Sequence, residues 1–142
     1  MLTACSTPET APGSLADGKE RVAELVDEAL AALDGGTYRR SVPGEQACRK
    51  TFLGYVVGTT GAHRAELPVI VDFPARVDAR QFLDLLAAHW LERGYEVRRV
   101  ETVDARYPKV EARAGGGYRV VMTAFATAPR LTVYAVSPCL RD

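Results

Sequence analysis

The sequence holds little lysine, little histidine and no net charge, and each shortage narrows what the chain can do. Of its 18 basic residues only Lys19, Lys50 and Lys109 are lysine, and 18 acidic residues balance the sum to zero. A neutral domain creates no general field for a polyanion, so a nucleic-acid partner is not expected. The bias to arginine, beside abundant Ala, Gly and Val, reads as GC-rich coding. No stretch reaches the roughly 18–20 apolar residues that span a bilayer. No CxxC occurs, and the three cysteines and two histidines never fall at metal-ligand spacing, so neither a zinc site nor a cofactor is expected. There is no G-x-S-x-G, and Ser6, Ser14, Ser41 and Ser137 fall in linkers, loops or ends, which argues against a Ser–His–Asp hydrolase. The run Gly115-Gly116-Gly117 opens onto a strand and lacks a following Lys-Ser/Thr, so it is no phosphate cradle.

What is present describes one small domain. At 142 residues and 47% apolar content the chain can bury a real core. Residues 1–15 are expected to form a flexible N-terminal tether, because Thr7, Pro8, Thr10, Pro12 and Gly13 offer no apolar periodicity to repay ordering. Residues 16–142 are expected to be a single α+β domain. Val22, Val26, Ala29, Leu30 and Leu33 make one helical stripe, with Ser14 or Asp17 as cap and Gly35-Gly36 as stop. Phe82, Leu83, Leu86 and Trp90 make a second, from an N-cap at Asp78 to Gly94. His89 falls at the edge of that stripe and is expected to be half-buried.

Strands are expected in 49–60 and 65–75, joined by a hairpin loop "TTGAHR". Four more are expected in 95–103, 108–115, 118–128 and 130–137. The alternation slips at Arg98-Arg99, which suggests a bulge. The stretch "YRVVMTAF" is apolar on both parities and suggests a central strand covered on both faces. The order α-ββ-α-ββββ, with short connections, predicts two helices packed on an antiparallel sheet of about five to six strands.

Cys48 and Cys139 are expected to pair. The bridge would close a loop on the order of 90 residues, worth about 4 kcal/mol, and tie down a terminus that otherwise frays. Such bridges persist in exported proteins. The alternative is a pair of reduced, buried small hydrophobes. Pairing them leaves Cys5 as the odd cysteine.

Leu2-Thr3-Ala4-Cys5 is similar to the lipobox of bacterial lipoprotein precursors. Trp90, Gly94-Tyr95, the Gly turn before Tyr118 and Ser137-Pro138-Cys139 loosely resemble small actinobacterial envelope lipoproteins, the mycobacterial LppA-like group and its streptomycete relatives. That resemblance implies a lipid attached at Cys5, a membrane partner through that lipid and an extracytoplasmic, membrane-anchored domain. It supplies no catalytic residue. The rest of the signal peptide is expected to lie upstream of the sequence as written. The alternative for Cys5 is a coincidental cysteine near a terminus.

Three side chains are candidate ligand contacts: His63 and Arg64 in the expected hairpin loop, and Asp72 beside Pro74 in an apolar strand. The bland reading for each is a polar loop or edge residue. Arg39-Arg40 and Arg98-Arg99 are basic pairs near Tyr38 and Tyr95, more cheaply read as solvated faces. The function expected from these features is a non-catalytic, lipid-anchored envelope protein that binds a protein, peptide or small ligand. Two alternatives remain: an enzyme with a pocket between sheet and helix, and an inhibitor or immunity-type partner protein.

Overall fold

The computed structural model describes residues 5–6, 10–39, 41–100, 107–125 and 128–141. Arg40, Glu101 and most of the lipobox, together with Thr7 and Pro8, lie outside the described residues. The chain is α+β. In order it forms β1 (Cys5–Ser6), β2 (Thr10–Ala11), α1 (Leu15–Ala31), β3 (Thr37–Tyr38), β4 (Gly44–Phe52), β5 (Tyr55–Asp72), α2 (Gln81–Glu92), β6 (Glu96–Val100), β7 (Lys109–Arg113), β8 (Arg119–Ala124), β9 (Arg130–Val136) and β10 (Cys139–Leu140). Elements of five residues or more follow α-ββ-α-ββββ. The four two-residue strands bring the sheet to ten segments, more than the five to six expected. Strand pairs so short carry no periodicity that a sequence can display.

The sheet runs β1-β4-β5-β9-β8-β7-β6, antiparallel throughout this path. β10 continues beside β5 after Ser137 and pairs parallel with β2, so residues 10–11 of the expected tether lie on the sheet. Both helices cover one face, α1 over β5 and β9 and α2 over β6 and β7. Leu67, Val69 and Val71 of β5, Leu131, Val133 and Ala135 of β9, and Val120, Met122 and Ala124 of β8 meet Val22, Leu25, Val26, Leu86 and Trp90 in one core. The period-2 alternation of the strands and the helical stripes are complementary halves of this layer.

α1 starts at an N-cap Ser14, whose Oγ accepts the Asp17 amide at 3.1 Å. α2 starts two residues later than Asp78 suggests. The Asp78 carboxylate instead takes the Arg80 amide at 3.0 Å and the Arg80 guanidinium at 2.9 Å, and a turn of i→i+3 bonds leads into the helix. That guanidinium holds the Asp78 carboxyl below its ordinary range. Between the helices Glu28 of α1 gathers three partners. His89 Nε2 lies 3.1 Å away, Arg93 Nε donates at 3.0 Å and Tyr95 Oη at 3.4 Å. His89 is half-buried as expected, and its contact is with Glu28.

Three strand expectations need correction. The turn between β4 and β5 falls at Leu53-Gly54, and "TTGAHR" lies inside β5. Leu53 (φ 49°) and Gly54 (φ 84°) are both left-handed, as the type I′ hairpin turn requires. Gly61 at φ 82° mimics a turn signal, yet it sits where the β4–β5 register shifts, as glycine does at a bulge. β6 pairs with β7 without a slip from Glu96 to Val100, so Arg98-Arg99 is no bulge. Arg99 points to the helix side and pairs with Asp84 of α2. β8 is central, but its second face, with Val121 and Thr123, is half-buried because the helices lie on one side alone.

Candidate functional site

The face of the sheet away from the helices carries the charge. Antiparallel register puts directly opposed residues on the same face. The pairs Glu66↔Val136, Val136↔Arg119, Arg119↔Arg113 and Arg113↔Glu96 therefore form one transverse row across five strands. The next row reads Pro68, Tyr134, Val121, Glu111 and Arg98.

Above the first row lies an open cleft of about 630 Å³, lined by Arg64, Glu96, Arg113, Tyr118, Arg119 and Cys139 among others. Arg64, Arg113, Arg119 and Glu96 are the charged residues of its lining, with Glu66 at the end of the same row and Glu111 in the next. The turn at Gly115 to Gly117, all three left-handed, closes one end and lets β7 return as β8. A Cβ on Gly117 would approach the Pro138 ring to 3.0 Å, a tight contact that together with the left-handed backbone favours glycine where the turn seats against Pro138. The Cys48–Cys139 disulfide, with Cα atoms 6.1 Å apart, forms another wall. Arg64 Nη2 donates to Cys139 Sγ at 3.2 Å. The bridge also fixes the strand ends: Ser137 Oγ accepts the Ala65 amide at 2.8 Å and donates to the Pro138 carbonyl.

Arg113 and Arg119 stand directly opposite each other, an arrangement that costs stability. Arg119 Nε reaches Glu111 Oε1 at 3.3 Å, and Arg98 donates to Glu111 Oε2 at 3.0 Å. The Glu111 side chain is only 8% exposed, and Oε1 receives no hydrogen bond of good geometry among the described residues. Arg113 has no ion pair among the described residues. Tyr134 Oη donates to Glu66 Oε2 at 2.8 Å; burial first, then that carboxylate, pushes its phenol up to about 12. Burial likewise raises the Tyr118 phenol.

The candidate contacts do not converge. Arg64 lines the cleft. His63 precedes it on β5 and faces the other way, opposite Leu140 and Ala47. Asp72 is eight residues beyond Arg64 on the same strand, about 26 Å away at 3.3 Å per residue. It is exposed and accepts Arg130 Nε at 2.7 Å. Cys5 lies in β1 with its backbone opposite Phe52. Reading the sequence alone misses Glu96, Glu111, Arg113 and Arg119. The one available signal was the symmetric placement of Arg113 and Arg119 around the Gly turn.

No family model, no curated protein and no solved structure matches the chain. Among the described residues no helix is long and apolar enough to cross a membrane, and no three His, Cys, Asp or Glu side chains gather as metal ligands.

Proposed function

We propose that this protein is a non-catalytic, lipid-anchored protein of the cell envelope whose domain binds an anionic group in the arginine-lined cleft. The observation that carries the ligand class is the opposed pair Arg113 and Arg119, joined by Arg64. Folding alone gains nothing from placing two guanidinium groups on one rung. A carboxylate or phosphate between them turns that repulsion into charge-assisted, forked hydrogen bonds. The open cleft suits one end of a larger molecule, such as the carboxylate of a peptide or an envelope glycan.

Two features support the envelope address. The Cys48–Cys139 bridge belongs to an oxidising compartment. Its formation leaves Cys5 for the lipid that the lipobox-like Leu2-Thr3-Ala4-Cys5 implies. The rival reading, an enzyme with a pocket between sheet and helices, finds among the described residues only a cleft of about 70 Å³ at the α1–β5 edge, and the layer itself is closed. Trp90, Leu86, Met122 and Val133 fill it and are almost wholly buried.

Thermal unfolding of the full chain in inorganic phosphate, with chloride at matched ionic strength, tests the cleft. Phosphate should raise the midpoint of the parent and leave Arg113→Gln unmoved; equal rises in both would remove the cleft from the reading. Mass analysis of the Cys5 peptide, from a bacterial host expressing the chain behind a lipoprotein signal, tests the anchor. An unmodified Cys5 there would end the lipid proposal and leave the cleft proposal standing.

A further inference from the structure

β4 and β5 continue well past the body of the sheet. β9 pairs β5 only from Glu66 to Asp72, and β10 meets it at His63. The far end, Arg49–Phe52 and Tyr55–Thr59, is a two-stranded ribbon whose remaining neighbour is the two-residue β1. Every residue from Phe52 to Thr59 is exposed. Five of those at the tip are large and apolar: Phe52, Leu53, Tyr55, Val56 and Val57, with Leu53 72% and Tyr55 76% exposed.

The turn itself points to a use. Its first residue must be left-handed, a position that suits Asn, Asp or Gly, and the chain places leucine there. A strained, apolar, water-facing side chain at the end of an arm is not explained by folding, and strain of this kind gathers at functional sites. Charge supplies the second observation. No Asp or Glu occurs from Gln46 to Ala65, while Lys50 and Arg49 stand exposed two and three rungs behind the Phe52–Tyr55 rung with no ion pair among the described residues.

We infer that the β4–β5 tip docks on an anionic phospholipid bilayer. Phe52, Leu53, Tyr55 and Val56 enter the boundary between headgroups and acyl chains, and Arg49 and Lys50 lie at headgroup height. Ladder pairing of Phe52 with Tyr55 and Thr51 with Val56 satisfies part of the inserted backbone, and a shallow seat at the boundary leaves the turn and the outer edge of β5 to headgroups and water. Tyr55 supplies the amphipathic ring favoured at that depth. The backbone of Cys5 lies opposite Phe52, so a lipid on Cys5 would leave the domain at the same tip. The docking does not require that lipid, and it adds the second element that stable anchoring needs when an acyl chain alone is marginal.

The test uses the full chain carrying Cys5→Ser, with its disulfide intact and no acyl group, so failure of the lipid proposal cannot affect it. The protein is floated with extruded vesicles of phosphatidylcholine, or of phosphatidylcholine and phosphatidylglycerol in equal parts. Partitioning is expected to be at least tenfold stronger into the mixed vesicles and to weaken with salt. Adding Leu53→Asn, which suits the left-handed turn, should lower partitioning about tenfold while the unfolding midpoint holds or rises. The inference is overturned by absent binding to the mixed vesicles, or by Leu53→Asn floating like its parent. A concentration-dependent dimer that Leu53→Asn abolishes, with no vesicle binding, would assign the tip to a second copy instead.

Discussion

Among single residues, the cleft row holds one rung whose charges oppose folding. Arg113 and Arg119 face each other, and Glu111 below them is shared by Arg98 and Arg119. Replacing Arg113 by Gln removes the like-charge rung with Arg119 and, on its other side, the opposite-charge rung with Glu96. Without ligand the two should largely offset and leave the fold within about 0.5 kcal/mol of the parent, measured by urea denaturation. A larger loss of stability would mean that Arg113 serves the fold. Tyr134 gives a pH signature. Its folded-state value of about 12 lies above the ordinary 10, because burial and the Glu66 carboxylate disfavour the phenolate. The contribution is complete below pH 10 and is lost as the pH rises through 12, where the unfolded chain has already released the proton. Tyr134→Phe should therefore flatten the decline of stability between about pH 10 and 12, and remove a late-titrating phenolate from the ultraviolet titration.

At the scale of elements, the structure rests on the apolar layer and one cross-link. Trp90 is fully buried between α2 and the sheet, and Trp90→Ala should cost about 3–5 kcal/mol of unfolding free energy. Replacing Cys48 and Cys139 together by Ser should cost about 4 kcal/mol through the 91-residue separation they close. It should also release β10, seen as faster amide exchange at Leu140. The helices were legible in the sequence because the stripe through Val22, Val26 and Ala29 and that through Phe82, Leu86 and Trp90 repeat at 3.6 residues. The disulfide was legible because two cysteines were left once Cys5 was set apart. The β4–β5 turn was not, because Leu53 carries no turn signal and Gly61 at the bulge imitates one. The arginine row was not legible either. It exists only once β5, β9, β8, β7 and β6 are laid side by side, and no local pattern sets that register.

At the scale of the molecule, zero net charge conceals two local asymmetries. One is the cleft, with Arg64, Arg113 and Arg119 against Glu96; the other is the acid-free arm that ends at Leu53. They lie along the same strand. From Tyr55 to Arg64 β5 runs nine residues, up to about 30 Å. A domain held at its arm tip, by lipid on Cys5 and by the tip itself, would carry the cleft about that far from the membrane surface. On the proposed envelope reading, this geometry would suit capture of an anionic group on a neighbouring molecule, with the fold acting as a spacer.

Side-chain nitrogen-15 NMR of the full chain would read anion binding at the opposed arginines residue by residue. On titration with inorganic phosphate, the Nε–Hε resonances of Arg113 and Arg119 should move together and saturate, while those of Arg80 and Arg93, which cap the two ends of α2, should stay in place. Equal drift of all four, or no movement at Arg113 and Arg119, would contradict the proposed binding.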